Sequence, residues 1–219
     1  MGENMVEIKN LEVFGLDRAL NAKGNSFNVG EIDTTLPFDK TDDNKQWKVA
    51  KSLGGNMFPH QSHDAFIKGI LVIFDIKGNG VFMPEFQRYH FADIVMSQST
   101  MHSMDKFMTS GYDPFTKYVS ENTKKEARAN YERYVEAKKS GDKQKIYEAF
   151  EIMVHNLPRG LELWATVTTN YLQLKTIVIQ RFHHKNIEDW RAFVEACYKL
   201  PYFRELCGFA DSEWDLENW

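Results

Sequence analysis

Alternation of apolar and polar positions predicts the strands of this chain. Segments 5–15 (MVEIKNLEVFG) and 161–167 both alternate in this way, which is typical of a strand with one buried face. Segment 70–76 is instead almost continuously apolar and β-branched, and such a run predicts a strand covered on both faces. A further short strand is predicted at 92–96, and the GNG sequence at 78–80 predicts a turn.

Helical periodicity and capping residues predict the helices. The clearest pair is 120–139 and 142–154, for which Ser120 is a start signal and Gly141 a stop signal. Charged residues cover the outer faces of this pair, so it is expected to form a helical hairpin with a solvated surface. The residues expected on its buried side are Ala127, Tyr131, Tyr134 and Val135, then Ile146, Tyr147, Phe150 and Met153. Further helices are predicted at 16–24, 42–53, 81–90, 170–184 and 186–200, with Asn186 as the cap of the last one.

These elements predict one α+β domain that spans residues 1–219. The sequence contains no internal repeat, low-complexity tract or interdomain linker. The tail at 208–219 is acidic and aromatic, and it is expected either to pack on a neighbouring chain or to be loose.

Composition narrows the class of protein. Hydrophobic residues make up 42% of the chain, enough for a sizeable core, and the net charge of −4 argues against bulk binding to nucleic acid or to an anionic membrane. Cys197 lies on the apolar face of a predicted helix, and two cysteines form no disulfide scaffold, which fits a reducing compartment. No apolar run reaches the roughly 18 residues of a membrane span, and no signal peptide is evident. A soluble cytoplasmic protein is expected.

Common catalytic templates are absent from the sequence. The GNG turn at 78–80 lacks the third glycine of a dinucleotide-binding loop, and no nucleophile elbow occurs. His60 and His63, or His183 and His184, could in principle bind a metal ion, but neither pair has a third ligand nearby in sequence. We therefore expect no metal site.

Two polar residues lie at opposite ends of one predicted helix. Asn170 and Arg181 are eleven positions apart, which is about 1100° of helical rotation and places them on the same face, with Leu174 and Ile177 between them. One interpretation is local: Asn170 starts the helix and Arg181 suits its negative end. The other is that both reach into a cleft that holds a flat ligand, for which the planar guanidinium is well suited.

The segment PEFQRYHFADIVMSQSTMH (84–102) concentrates basic, hydroxyl and amide groups beside a predicted strand. Such groups together are what a phosphate site uses. A polar sheet edge with unrelated side chains is the alternative interpretation.

These motifs resemble the flavin-dependent thymidylate synthases of the ThyX type. The LP dipeptide at 157–158, then Asn170 and Arg181, follow the spacing of that family, as does His63 before the apolar strand and FQRYH. RYH at 88–90 stands where the family hallmark begins with Arg-His-Arg, and SQSTMH at 97–102 where it continues Asn-Glu-x-Ser-x-Arg. The chain departs from the hallmark at Tyr89, His90, Gln98 and His102, and it lacks an arginine before the LP dipeptide, for which Arg159 could compensate.

The resemblance implies a fold and an activity. The fold would be a central, mostly antiparallel sheet flanked by helices, with the helical hairpin as an insertion. The protein would be a homotetramer with sites between subunits, in which FAD is reduced by NADPH and dUMP is methylated to dTMP with methylenetetrahydrofolate. Two alternatives stay open: a related enzyme that modifies the same nucleotide, for example by hydroxymethylation, and a homologue that binds nucleotide or flavin without turnover.

The resemblance also implies roles for individual residues. Arg181 would be the catalytic residue and would sit on the uracil, where it stabilises developing charge. Residues implied to bind FAD are His63, Arg88, Tyr89, His90, Gln98 and Asn170. Residues implied to line the dUMP site, with Arg181, are Glu85, Gln87, Arg88, Gln98, Ser99, Thr100 and His102.

Overall fold

A four-stranded antiparallel sheet forms the centre of the protein. The computed structural model describes residues 6–55 and 63–219. The strands are β1 (Glu7–Phe14), β2 (Leu71–Asn79), β3 (Asp93–Ser97) and β4 (Glu162–Asn170). Their order across the sheet is β1-β2-β4-β3, and every neighbouring pair is antiparallel. The α+β class and the antiparallel sheet are therefore confirmed.

Helices surround the sheet, and most of them lie where the sequence predicts. The helices of the described ranges are α1 (Leu16–Ala22), α2 (Lys45–Gly54), α3 (Met83–Phe86), α4 (Met104–Thr109), α5 (Glu121–Ser140), α6 (Lys143–His155), α7 (Tyr171–Arg181), α8 (Ile187–Tyr198) and α9 (Phe203–Cys207). Short 3-10 segments occur at Asn25–Phe27, Asp64–Gly69, Ser212–Trp214 and Leu216–Asn218. The short helices α4 and α9 were not predicted, because so few residues carry too little periodicity to reveal them.

Within residues 6–55 and 63–219, one face of the sheet is covered and the other is partly exposed. Val72, Phe74 and Ile76 of β2 are buried in the same hydrophobic cluster as residues of α7 and α8. On the opposite face, Leu71 is 49% exposed and Ile73 is 38% exposed. The expectation that this strand is covered on both faces is thus wrong for the chain as described, because an apolar run does not reveal which alternating set of side chains meets the helices.

The helical hairpin has the predicted ends. Ser120 Oγ accepts a hydrogen bond from Thr123 N, and Gly141 ends α5 in the left-handed conformation with φ of 68°. Asp142 caps α6 by accepting from the backbone N–H groups of its first turn. The predicted buried side is wrong at Tyr147, which is 60% exposed, because this short hairpin encloses too little volume to bury every aromatic residue on it.

Several predicted boundaries shift for local reasons. Helix α2 begins at Lys45, because the side chain of Asn44 accepts from Gln46 N and caps it there. Strand β2 continues through Gly78 and Asn79, which pair with β4, so the predicted turn begins only at Gly80.

The tail packs on its own chain. Trp214 and Trp219 contact the ring of Phe182, with centroids 5.0 and 5.1 Å apart. This corrects the expectation of a loose or neighbour-bound tail, since aromatic residues spaced along an irregular segment can still reach the core. Cys197 and Cys207 are buried and free, as predicted for Cys197. No helix within the described ranges is long and apolar enough to cross a membrane.

Candidate active site

The turn after β2 places α3 beside the end of α7. Asn79 Oδ1 accepts hydrogen bonds from Val81 N at 2.8 Å and Phe82 N at 3.1 Å, which fixes the direction of the chain as it leaves the strand. Phe82 and Phe86 are fully buried and anchor the helix in the core. As a result, Glu85 and the following Tyr89 lie next to the last turn of α7.

Arg181, at that end of α7, is held from three sides. Its Nε donates to Tyr89 Oη at 2.7 Å, and its Nη1 donates to Glu85 Oε2 at 3.3 Å. The guanidinium also lies over the ring of Trp190, 4.6 Å from the centroid, a cation–π contact. The side chain is only 15% exposed, and its Nη2 has no hydrogen-bond partner among the described residues. One end of the guanidinium fork is therefore available to a ligand.

Glu85 accepts two hydrogen bonds on one oxygen and has a histidine ring beside it. Besides Arg181, its Oε2 accepts from Trp190 Nε1 at 3.0 Å and lies 3.5 Å from His184 Nε2. His184 Nδ1 in turn accepts from the backbone N–H of Asn186 at 3.1 Å, which orients the imidazole ring. The carboxylate thereby fixes Arg181 and Trp190 relative to one another, and the ring of His184 lies beside them.

Tyr89 links the arginine to its own helix. Burial raises the pKa of Tyr89, while the hydrogen bond and charge of Arg181 act in the opposite direction. The protonated hydroxyl accepts from Arg181 and donates to Gln180 Oε1 at 3.1 Å. Tyr89 therefore orients the guanidinium as a neutral phenol.

Asn170 starts α7 as its capping residue, which is the local interpretation of its position. Its Oδ1 accepts from Gln173 N at 2.9 Å and caps α7. Leu174 and Ile177 are buried in the core, so the face between Asn170 and Arg181 packs against the interior of the described part of the chain. The two ends of this face are about 16 Å apart along the helix axis. Asn170 and Arg181 could meet one ligand only if that ligand were long or shared between chains.

The polar residues after β3 are partly engaged with the backbone. Gln98 Oε1 accepts from Trp164 N at 3.0 Å, and Gln98 N donates to Trp164 O at 2.8 Å, which extends the pairing of β3 with β4. Ser99 Oγ accepts from the backbone N–H groups of Met101 and His102, both at 3.2 Å. This turn leads the chain toward α4. Thr100 is half-buried and His102 is exposed in the same turn.

The remaining predicted residues are exposed. Gln87 and His90, with Tyr89, line an open cleft of about 720 Å³, and Arg88 is exposed between them in sequence. His63 is exposed at the start of a 3-10 segment whose next residue, Asp64, contacts Lys175 of α7 at 3.3 Å. The chain therefore brings Glu85, Tyr89 and Arg181 into contact, and leaves the other predicted residues outside that cluster.

Sequence reasoning missed three members of the cluster: Trp190, His184 and Gln180. One signal was present, because His184 lies three positions after Arg181 and the two can therefore lie on one side of the chain. In sequence, the adjacent His183 and His184 instead resemble a pair of metal ligands. Within 6–55 and 63–219 no group of three His, Cys, Asp or Glu residues could hold a metal ion, and His60 lies outside those ranges.

Comparisons with known proteins locate this arrangement in a known fold. A crystal structure of the flavin-dependent thymidylate synthase ThyX from Helicobacter pylori, complexed with FAD and dUMP, superposes with a TM-score of 0.60 at 15% identity, covering 92% of this chain and 96% of that one. A second Helicobacter pylori ThyX structure with FAD and dUMP gives a TM-score of 0.59 at 17% identity, covering 92% and 95%. The chain has the fold of the flavin-dependent thymidylate synthases.

The structural likeness to ThyX extends over most of the chain, whereas the sequence resemblance is confined to two motif blocks. No family model matches the chain, and no curated protein matches it significantly. At 15–17% identity the likeness concerns the fold, so chemistry has to be argued from the residues. The fold expected from the two motif blocks is confirmed.

Proposed function

We propose that this protein is a flavin-dependent thymidylate synthase that converts dUMP to dTMP. FAD would be its cofactor, NADPH the reductant and methylenetetrahydrofolate the one-carbon donor. The proposal rests mainly on Arg181, which contacts Tyr89, Glu85 and Trp190 and keeps its Nη2 available for a ligand. The solved structures that share this fold contain FAD and dUMP. The proposal treats residues 1–219 as one catalytic unit in the cytoplasm, and its partners are small molecules rather than nucleic acid.

The donor set of the described residues fits these ligands. An available guanidinium N–H suits a pyrimidine carbonyl, and the exposed basic side chains of Arg88, His90 and His102 suit phosphate groups. Tyr89 and Trp190 add aromatic surface next to Arg181. In this proposal FAD is held by His63, Arg88, Tyr89, His90, Gln98 and Asn170, and dUMP by Glu85, Gln87, Arg88, Gln98, Ser99, Thr100, His102 and Arg181.

Within the proposed reaction the chain supplies orientation and charge. Arg181 donates to a uracil carbonyl and stabilises negative charge that develops on the pyrimidine ring. Glu85 and Tyr89 keep the guanidinium in place before the substrate arrives, so less ordering is needed when it binds. When bound, the reduced flavin supplies the hydride, which explains why no protein nucleophile is required.

A homotetramer with sites between subunits is part of the proposal. Asn170 and Arg181 lie at opposite ends of α7, and a buried apolar face separates them, so one chain does not join the two groups. The uncovered face of the sheet offers a contact surface, because Phe14, Leu71 and Ile73 lie on it and are 44%, 49% and 38% exposed. Apolar area of this kind is typical of an interface between chains.

A second candidate function is favoured by the modest positive charge around Arg181. The negative charge of Glu85 offsets the positive charge of Arg181 within the cluster. Arg159 donates to the carbonyl of Gly80 at 3.0 and 2.9 Å, so it does not compensate for the arginine missing before Pro158. A weaker grip on the nucleotide would suit a related enzyme that hydroxymethylates dUMP, or a homologue that binds nucleotide or flavin without turnover.

The proposal is tested by measuring the FAD content of the purified protein and then by identifying the reaction product. The purified protein should carry FAD, identified by absorbance and by chromatography after denaturation. With dUMP, methylenetetrahydrofolate and NADPH, mass spectrometry should detect dTMP, whereas hydroxymethyl-dUMP would select the second candidate. Arg181→Ala should lose at least 10²-fold in turnover (roughly the effect of removing one charge-stabilising donor), whereas Arg191→Ala, at an exposed position on α8, should not. Absence of both flavin and turnover would overturn the proposal.

A further inference from the structure

Lys175 is a buried cation in the middle of α7. Its side chain is 1% exposed, on the helix that Asn170 caps and Arg181 ends. A buried ammonium group is unfavourable unless acceptors surround it, so lysines are almost never fully buried without partners. The position of Lys175 therefore has to be understood from the groups that it contacts.

Two acceptors of this ammonium group come from other parts of the chain. Lys175 Nζ donates to the carbonyl oxygen of Gly54 at 2.7 Å and to Asp64 Oδ2 at 3.3 Å. Gly54 is the last residue of α2, where the free carbonyl groups and the helix dipole both favour a positive charge. Asp64 is 5% exposed and begins the 3-10 segment Asp64–Gly69. Lys175 thus joins α7 to the end of α2 and to the start of the 3-10 segment.

This connection bears on the position of His63. His63 directly precedes Asp64, so its Cα atom is about 3.8 Å from that of an anchored residue. The side chain of His63 is exposed and makes no capping hydrogen bond to the 3-10 segment. The backbone of His63 is therefore held through Asp64, while its imidazole ring stays accessible to a ligand.

We propose that Lys175 is a positioning residue for FAD, which acts by fixing Asp64 and thereby the imidazole ring of His63. The inference rests on the proposed function, in which His63 is one of the residues that hold FAD. Stability alone does not account for the ion pair, because a well-packed apolar pair in its place is often at least as stable. The ion pair adds direction, because hydrogen bonds require a defined geometry and apolar contacts do not.

Lys175→Met tests the inference by removing the ammonium group while keeping a side chain of similar length. FAD is titrated into the flavin-free protein by isothermal calorimetry. We expect its affinity to fall about tenfold, the effect of losing one hydrogen bond between His63 and FAD. Lys68→Met removes an exposed lysine from the same 3-10 segment and should bind FAD as the wild type does. Equal affinities of Lys175→Met and wild type would overturn the inference.

A double-mutant cycle with His63→Ala shows whether Lys175 acts through the histidine. His63→Ala should weaken FAD binding at least as much as Lys175→Met does. If Lys175 acts only by positioning the imidazole ring, Lys175→Met should cause no further loss once that ring is absent. Losses that multiply would mean that Lys175 acts on FAD by another route, and would overturn the inference.

The wild type separates failure of this inference from failure of the proposed function. If the wild type does not bind FAD, the proposed function is wrong and the inference about Lys175 fails with it. If the wild type binds FAD, the variants decide the inference about Lys175 and leave the proposed function standing.

A paired variant covers the case in which Lys175→Met does not fold. Lys175→Met combined with Asp64→Leu removes both buried charges and leaves no unpaired carboxylate, so the midpoint of its urea unfolding should be close to that of the wild type. FAD should still bind about tenfold more weakly, because the directed hydrogen bonds that position His63 are absent. Recovery of FAD affinity together with stability would show that the ion pair serves stability alone, and would overturn the inference.

Discussion

The hydrogen bond from Arg181 Nε to Tyr89 Oη, at 2.7 Å, joins two residues that are 92 positions apart in the chain. It fixes the guanidinium against the ring of Trp190, so that the arginine lies in a defined orientation before any ligand is present. An arginine held in this way loses less conformational entropy when it binds than a free surface arginine does. Positioning of Arg181 is therefore the feature most open to test by mutation.

Tyr89→Phe removes this hydrogen bond but keeps the aromatic ring. Because Arg181 retains its contacts with Glu85 and Trp190, we expect turnover of dUMP to fall about tenfold, in line with a hydrogen bond to a charged group. Tyr147→Phe removes a hydroxyl from a tyrosine that is 60% exposed on α6 and should leave turnover unchanged. Equal rates for wild type and Tyr89→Phe would remove Tyr89 from the positioning network.

Arg181→Lys keeps the charge but loses the planar fork. A lysine ammonium cannot bond Tyr89 and Glu85 in the same geometry while stacking on Trp190, so both function and stability should suffer. We expect kcat to fall about 10²-fold and the free energy of unfolding, measured with urea, to fall by about 1–3 kcal/mol. Arg191→Lys on the exposed side of α8 is the matched control. A lysine variant as active as the wild type would show that charge alone suffices.

Glu162 should make stability depend on pH in an identifiable direction. Burial raises its pKa above 4.5, against the opposing charge of Lys77, whose Nζ lies 3.8 Å away. The folded state thus holds the proton more tightly than the unfolded state. The stability that Glu162 contributes is complete below its unfolded pKa and is lost as the pH rises through the higher folded pKa.

Glu162→Gln, which does not ionise, should therefore gain stability relative to wild type as the pH is raised from below 4.5 to neutral. Glu7→Gln should change in the opposite direction, because a hydrogen bond from Lys9 lowers the pKa of Glu7. Lys77 contacts both carboxylates and stays charged throughout this range. The difference between the two pH curves therefore comes from the carboxylates and not from Lys77. Urea denaturation across the pH series measures both differences, and parallel curves for the two variants would contradict the prediction.

Local sequence signals predicted the parts of the fold that depend on neighbours in sequence. The ends of the helical hairpin follow from Ser120, Gly141 and Asp142, whose caps use backbone groups within three residues. The exposure of Leu71 and Ile73 could not be predicted in the same way. It depends on which side of β2 receives α7 and α8, which are about 100 positions further along the chain.

In the candidate site, too, local signals were readable from the sequence and long-range contacts were not. Arg181 was found from helix geometry and from the spacing of the motif in which it stands. Trp190 was not found, because its hydrogen bond with Glu85 spans 105 positions and leaves no pattern in either segment. Gln98 is a false signal of the opposite kind. In sequence its amide resembles a ligand-binding group within a polar cluster, but in the structure its oxygen accepts a hydrogen bond from Trp164 N.

The uncovered face of the sheet gives the last prediction. Ile73 lies between Glu12 of β1 and Thr168 of β4, and is 38% exposed. In a separate chain, the ammonium group introduced by Ile73→Lys would reach water beside Glu12 and should be tolerated. In the proposed tetramer the same ammonium would be buried against an apolar neighbour, which is strongly unfavourable.

We expect wild type to have the mass of four chains by light scattering after size-exclusion chromatography, and Ile73→Lys to dissociate. Val49→Lys, at a position that is 37% exposed on α2, should remain assembled, because α2 packs on α9 and on the 3-10 segment Asp64–Gly69. A wild-type monomer, or an Ile73→Lys variant that keeps its assembly, would rule out this face as the interface.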